Sequence, residues 1–217
     1  MNIKEYIVYE DKDLLVCHKL PKIATQTSRI GEKDMVSLLK NYLYQQSSKK
    51  QEPYLAVIHR LDQMVEGLLV FAKTSFAAKE LSRQLQQKGF GKEYRAVVCK
   101  TPLKREGTLV DYMVKDKRSN ISRICSKNEI GAKKVVLHYE VAEEKDDGTA
   151  VLHICLETGR HHQIRVQLAN IGCGIMGDAK YNADNYDKEK WDKIALCAYR
   201  LRFVNPRTKK EMVFELE

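Results

Sequence analysis

An α+β fold built on a largely antiparallel sheet follows from three features of the 217-residue sequence. Short apolar runs outnumber stretches of helical periodicity, polar turns of hairpin length separate them, and no regular strand-helix-strand alternation links them. With 43% apolar residues and only four prolines the chain can pack a sizeable core, and residues 1–217 read as one domain. No internal repeat or low-complexity segment interrupts it.

Tyr6 to Leu20 holds two apolar runs around Glu10-Asp11-Lys12-Asp13, a hairpin signal. Asp34 stands as a helix N-cap before Met35, Leu38, Leu39, Tyr42 and Leu43, whose spacing makes one apolar face. Gln45 to Pro53 is polar and predicts an exposed loop. In Leu55 to Lys73 two apolar runs flank His59-Arg60-Leu61-Asp62, so an arginine and a carboxylate sit where a strand gives way to a turn. Desolvating such a pair costs on the order of several kcal/mol, which asks for a functional return.

Thr74 or Ser75 caps a helix that turns Phe76, Ala77, Leu81 and Leu85 inward, with Gly89 as its left-handed stop. Lys92 to Cys99 is a strand with Tyr94, Ala96 and Val98 on one face. Lys100 to Ile130 is polar and basic, with Lys115, Lys117, Arg118, Arg123 and Lys127, and predicts short strands joined by mobile loops. Lys133 to Glu144 and Thr149 to Glu157 alternate around Asp146-Asp147-Gly148, the strongest hairpin signal in the chain; Ala150, Leu152, Ile154 and Leu156 face one way. Arg160 to Ile171 predicts a helix with Ile164, Leu168 and Ile171 inward, His161 and Arg165 on a neighbouring face, and Gly172 as its stop. Ala195 to Val204 and Glu211 to Leu216 form a last hairpin across Asn205-Pro206-Arg207-Thr208, with Arg200 and Arg202 on one side.

The net charge of +9 points to a polyanionic partner, nucleic acid before membrane. No apolar run reaches the roughly 18 residues of a membrane span, and Met1-Asn2-Ile3-Lys4-Glu5 lacks the basic-then-apolar pattern of a signal peptide, so a cytoplasmic protein is expected. Cys17, Cys99, Cys125, Cys155, Cys173 and Cys197 are widely spaced and read as reduced thiols; neither they nor His161-His162 have the spacing of a metal site. No metal, cofactor or protein partner is implied, and a monomer is expected.

Three separated segments carry a resemblance: HRLDQMVEGLLVFAK at 59–73, KEYRAVV at 92–98, and ETGRHHQIRVQLANIGCGIMGDAKYN at 157–182. In this order they resemble the RluA-type pseudouridine synthases, which isomerise uridine to pseudouridine in RNA. The likeness runs from Ile7 through Phe214, taking in Lys19-Leu20-Pro21 and Leu201-Arg202-Phe203 with Asn205-Pro206-Arg207-Thr208. It implies the pseudouridine synthase fold, a mixed, largely antiparallel central sheet flanked by helices and loops with a central cleft. It also implies a structured rRNA or tRNA as substrate.

Residue by residue, the resemblance implies that Asp62 is the catalytic aspartate, Tyr94 the tyrosine stacked on the target base, and Arg165 the basic residue paired with the aspartate. Arg60 matches the arginine associated with holding the nucleotide out of its stack, and Ile164 an apolar residue of the uracil pocket; Arg160, His161 and Gln163 match phosphate and ribose contacts more loosely. Val65-Glu66 replaces the usual Thr-Ser, Asn182 a glycine, and Cys197 and Asn205 two histidines, while Lys19-Leu20-Pro21-Lys22 is a loose form of Lys-Pro-x-Gly. On this resemblance the chain is expected to start at the catalytic domain, without the N-terminal RNA-binding module that many members carry.

The chemistry suits these residue types. A carboxylate can attack the sugar or the base, or remove a sugar proton, without metal or cofactor. A buried aspartate reaches a stacked uridine only if the base is flipped out, and a tyrosine face offsets the unstacking. Two other readings compete. An RNA-binding or folding protein that kept the fold but lost catalysis is motivated by Val65-Glu66. A glycoside hydrolase would need a second catalytic carboxylate, for which Glu66 is the candidate, but the basic surface argues against a neutral glycan.

Overall fold

The computed structural model describes residues 2–29, 31–48, 51–87, 89–116, 118–185, 187 and 189–217; Met1 and Lys117, and Lys49 and Lys50 of the polar loop, lie outside them. In chain order the elements are β1 (Ile7–Glu10), β2 (Leu14–Lys19), α1 (Met35–Gln46), β3 (Ala56–Val57), β4 (Glu66–Ala72), α2 (Ser75–Gln86), β5 (Gly91–Val98), β6 (Glu106–Asp116), β7 (Ile121–Ile124), β8 (Lys133–Glu144), β9 (Ala150–Leu156), α3 (Gln163–Asn170), β10 (Leu196–Val204) and β11 (Glu211–Glu215). Strands outnumber helices, and the α+β class expected from the sequence holds. The chain divides into two compact units: Met1–Lys92 with Ala198–Glu217, and Glu93–Cys197.

In the first unit β2 pairs antiparallel with β1 and β4, β3 pairs with β4, and β11 pairs with β10. β2 and β4 are buried almost throughout, as continuous apolar runs require. Their Leu14, Val16, Leu68, Val70 and Ala72 form a core with Ala77 and Leu81 of α2, Phe90, and Leu201 and Phe203 of β10. α1 begins at the predicted cap: Asp34 accepts from the Ser37 amide and Ser37 Oγ accepts from the Asp34 amide, a closed capping box.

α2 corrects the sequence reading in two places. Thr74 is the N-cap, accepting from the Ala77 amide at 3.3 Å, and the buried line runs Ala77, Leu81, Gln84. Phe76 therefore points away from the core; it is 45% exposed, with the Arg207 guanidinium carbon 5.5 Å from its ring centroid. Gln84 takes the inward place because its amide is fully used, donating to Val204 O and accepting from Val204 N, each at 2.8 Å. Gly89 is not left-handed: its amide reaches back to Gln84 O at 3.0 Å.

In the second unit β5 pairs with β9, β9 with β8, β8 with β6 and β6 with β7, all antiparallel. The expected turn closes β8 onto β9, with Gly148 at φ +81. The expectation of short strands between Lys100 and Ile130 holds for the four-residue β7 but not for β6, an 11-residue strand in register with β8 from Glu106↔Glu140 to Met113↔Lys133. Four of its five exposed residues, Glu106, Thr108, Lys115 and Asp116, are charged or polar and the fifth is Val110, so little apolar pattern marks the strand inside a basic sequence. Met113 and Val135 pack with Val166 of α3 in a small cluster joined by Ile124 and Tyr181.

Candidate active site

Arg60 and Asp62 lie in the first unit, on the eight residues joining β3 to β4. Burial alternates there: His59 and Leu61 are buried, Arg60 is exposed and Asp62 half-buried. His59 is a core residue. Its Nε2 accepts from the Val70 amide at 3.4 Å, its ring packs edge-on to Phe90, and burial, aided by Lys92, holds its pKa well below the usual histidine value.

The turn that carries Asp62 is tied on both sides to the end of β2 and the segment that follows it. Thr25 Oγ1 donates to Leu61 O at 3.1 Å and accepts from the Leu61 amide at 3.2 Å. Lys19 Nζ donates to Gln63 O at 3.1 Å, and also to Leu20 O and Ile23 O at 3.0 and 2.8 Å. Gln63 Nε2 donates to Lys22 O, and the Val65 amide closes the turn onto Asp62 O at 3.0 Å. Lys19 and Thr25 do not stand out in the sequence as site residues; the loose Lys19-Leu20-Pro21 match is the signal that could have found them. Burial brings the Lys19 ammonium down to about 8, with the charges of Asp62 and Glu66 opposing the shift.

β4 then starts at Glu66 and turns sharply at Gly67, whose φ is +139. A Cβ there would lie 2.6 Å from Ala198 backbone atoms, so only glycine lets β4 run this close to Ala198.

Tyr94 and the remaining candidates lie in the second unit. Tyr94 faces inward from β5 with Ala96 and Val98, as predicted, opposite Ile154 of β9. Helix α3 is shorter than predicted. It starts at Gln163, after His162 in the left-handed region at φ +55. Residues 158–163 instead close a turn on the Gln163 side chain, whose Oε1 accepts from Thr158 Oγ1 at 2.8 Å and the Arg160 amide at 3.1 Å. Its Nε2 donates to Val136 O and Gln167 Oε1, so Gln163 is 2% exposed with its amide committed inside the unit.

His161 therefore precedes the helix and does not share a helical face with Arg165. Its ring stacks on His162 at 3.7 Å, and its Nδ1 lies 2.9 Å from Ser122 Oγ. Ile171 is the C-cap and 36% exposed, correcting its inward assignment, while Gly172 at φ +75 ends the helix as expected. Ile164 is buried and Arg160 exposed.

Arg165 is 5% exposed and paired with Asp178: Nε to Oδ2 and Nη2 to Oδ1, both 2.7 Å. Asp178 Oδ1 also accepts from the Lys180 and Tyr181 amides, which is how a fully buried carboxylate keeps its charge satisfied. The Arg165 guanidinium carbon lies 5.0 Å from the Tyr181 ring centroid. Tyr181 Oη accepts from the Ser122 amide at 2.9 Å and lies 2.7 Å from His162 Nδ1. Burial first, then Arg165 and His161, bring the His162 pKa to about 2, so its Nδ1 is an acceptor for the tyrosine proton. Sequence reasoning missed Asp178 as a partner, although it stands inside the 157–182 segment.

Two of the departures have local causes. Asn182 donates to Ile175 O and lies over Gly174, where a Cβ would come within 2.6 Å of its Cγ; the glycine makes room for the asparagine. Asn205 caps its turn through the Arg207 and Thr208 amides.

Comparison with known proteins agrees in fold and family. A family model described as RNA pseudouridylate synthase matches residues 13–170. An uncharacterized RNA pseudouridine synthase of Helicobacter pylori is 30% identical over 223 residues, covering 100% of this chain and 67% of its own length. Ribosomal large subunit pseudouridine synthase D of Vibrio cholerae is 34% identical over 219 residues, covering 96% and 65%. The structure of human RNA pseudouridylate synthase domain containing 4 superposes with a TM-score of 0.80 at 20% identity, covering 99% of this chain and 89% of that one.

Proposed function

The chain belongs to the RNA pseudouridylate synthase family, a family of isomerases, and from that premise we propose that it converts specific uridines of a structured rRNA or tRNA to pseudouridine with Asp62 as the nucleophile. The observation that carries the reading is the hold on the Asp62 turn. Thr25 fixes Leu61 and Lys19 fixes Gln63, one residue to either side, while the Asp62 side chain stays half-buried. A reacting group held by its neighbours loses little orientational freedom on the way to the transition state.

In this reading the uridine is flipped from its stack and its base lies against the Tyr94 ring. With the carboxylate as nucleophile the C1′–N1 glycosidic bond breaks, the uracil turns, and a C1′–C5 bond forms as the carboxylate is released; C5 gives up its proton and N1 takes one up, with no net redox change and no metal. Arg165 supplies the cation, its guanidinium fixed by Asp178. Ile164 lines the uracil pocket. Exposed Arg60 holds the displaced nucleotide, and exposed Arg160 with its chain neighbour His161 holds phosphate and ribose. Gln163 contributes by shaping the 158–163 turn. Relatives named for the large ribosomal subunit support rRNA, and the cytoplasm, as the setting.

The test is to incubate the protein with total RNA from cells lacking it and to map pseudouridine chemically. A new site made by the native protein and absent with Asp62→Ala, at unchanged RNA affinity, is the expected result. No new site in any RNA would refute the function, and turnover by Asp62→Ala would refute the nucleophile.

A further inference from the structure

The Arg165 guanidinium carbon sits 5.0 Å from the Tyr181 ring centroid, over the ring, while Asp178 holds Nε and Nη2 of the same group. One carboxylate sets both contacts. Asp178 Oδ1 also accepts from the Lys180 and Tyr181 amides at 3.0 and 3.3 Å, which fixes the turn that carries the ring.

The Tyr181 hydroxyl holds the backbone that presents Arg165. It donates to His162 Nδ1 at 2.7 Å, and the two rings meet edge-on with centroids 5.5 Å apart. His162 directly precedes α3 at φ +55, a left-handed conformation that a residue with a Cβ keeps only where its surroundings impose it. Its carbonyl accepts from the Val166 amide at 3.0 Å, closing the first turn of the helix around Arg165. The same phenol oxygen accepts from the Ser122 amide at 2.9 Å. β7 is the end strand beside β6 and Ser122 is 3% exposed, so a buried edge donor finds its acceptor there. Ser122 Oγ, 2.9 Å from His161 Nδ1, ties β7 a second time to the residues before α3. Packing with Met113, Val135 and Val166 accounts for the ring but asks for none of these bonds.

We propose that Tyr181 is a positioning residue for Arg165: its ring, with Asp178, fixes the guanidinium, and its hydroxyl fixes His162 and β7 about the start of the helix that carries it. The proposal rests on the reading of Arg165 as the cation of the active site. It assigns the 178–181 turn to the orientation of Arg165 and not to packing alone.

The direct test reads Arg165 itself. Proton–nitrogen NMR follows the Arg165 Nε–H, identified by its absence from Arg165→Lys, in the native protein, Tyr181→Phe and Tyr181→Leu. Tyr181→Phe keeps the ring and loses the hydroxyl, so the Ser122 and Val166 amides exchange with solvent faster. Tyr181→Leu loses both, and Nε–H exchange rises by about 2- to 30-fold, the range of a cation–ring contact expressed as a rate, while the β8–β9 amides keep their rates. Unchanged exchange at Arg165 in Tyr181→Leu, or at Ser122 and Val166 in Tyr181→Phe, overturns the proposal. So does a uniform rise across all protected amides, which is what lost packing alone produces.

Kinetics give the second arm. Per folded enzyme, Tyr181→Phe lowers kcat for pseudouridine formation by about 2- to 13-fold with KM little changed, the range of one hydrogen bond expressed as a rate. In an Arg165→Lys background, which keeps the charge and loses the planar fork, the same substitution lowers kcat by less than about twofold, as one residue acting through another requires. Equal losses in the two backgrounds overturn the proposal. If Tyr181→Leu does not fold, the kinetic arm decides; if Arg165→Lys has no turnover, the exchange arm decides. Absence of product from the native protein counts against the proposed reaction, while exchange still decides whether Tyr181 orients Arg165.

Discussion

Arg165 and Asp178 form a bidentate pair with both nitrogen–oxygen distances at 2.7 Å, on side chains 5% and 1% exposed. Breaking a buried pair by removing one charge costs about 3–5 kcal/mol, because the other is left uncompensated. Asp178→Asn is therefore expected to lower stability by roughly that amount and to abolish turnover at temperatures where it remains folded. Urea unfolding alongside a single-turnover assay reads both. A variant as stable as the native chain would mean that the guanidinium finds its countercharge elsewhere.

The Thr25 hydroxyl is both donor and acceptor for Leu61. Thr25→Val keeps the shape and leaves a buried N–H and C=O without that partner, at about 1–3 kcal/mol. The Leu61 amide should exchange with solvent faster than its neighbours in β4, and kcat should fall while RNA affinity holds, since the turn carrying Asp62 is loosened. Unchanged exchange at Leu61 would remove Thr25 from the account.

Two buried histidines set an acid limit on stability. Burial holds His59 well below the ordinary histidine range and brings His162 to about 2, while both take up protons near 6.5 when unfolded. Between those values the unfolded chain binds more protons, so stability is full above about pH 6.5 and falls with acidification, by up to about 1.4 kcal/mol per pH unit for each histidine. His162→Gln should remove close to one proton from that dependence. Unfolding free energies at pH 7, 6 and 5 test the slope.

How much was legible in the sequence follows from what each residue is paired with. Period and turn chemistry are local, so the Asp34 cap, the Gly148 hairpin, the Gly172 stop and the Tyr94 face were readable. Phe76 was misassigned because an amphipathic pattern cannot know that Gln84 finds two backbone partners 120 residues away. His161 was placed on a helix because the side chain of Gln163 closes a turn that propensity does not record. Lys19 stayed hidden for the same reason: a lysine reads as surface until its three carbonyls are seen.

Gly67 holds β4 where a side chain has no room. Gly67→Ala meets Ala198 backbone atoms at 2.6 Å and a φ of +139, so overpacking of about 1–3 kcal/mol adds to backbone strain of similar size. Gly148→Ala, also at positive φ but with nothing within 4 Å, should cost only about 1–2 kcal/mol. Thermal unfolding of the two variants separates crowding from backbone conformation, and equal losses would contradict the close approach.

Tyr94 tests the stacking role apart from the packing role. The residue is 6% exposed on the inward face of β5 beside Ala96 and Val98, so a smaller side chain there costs stability whatever the protein does. Tyr94→Phe keeps the ring and loses only the hydroxyl; Tyr94→Leu keeps an apolar side chain and loses the aromatic face. If the ring holds a flipped uracil, worth about 1–3 kcal/mol per stacked base, Phe retains most of the turnover and Leu loses about 5- to 150-fold, the same energies expressed as rates. Stability measured on both variants supplies the correction for packing. A loss in Leu fully matched by its fraction unfolded would leave Tyr94 as core alone, and a loss in Phe as large as in Leu would assign the role to the hydroxyl instead of the face.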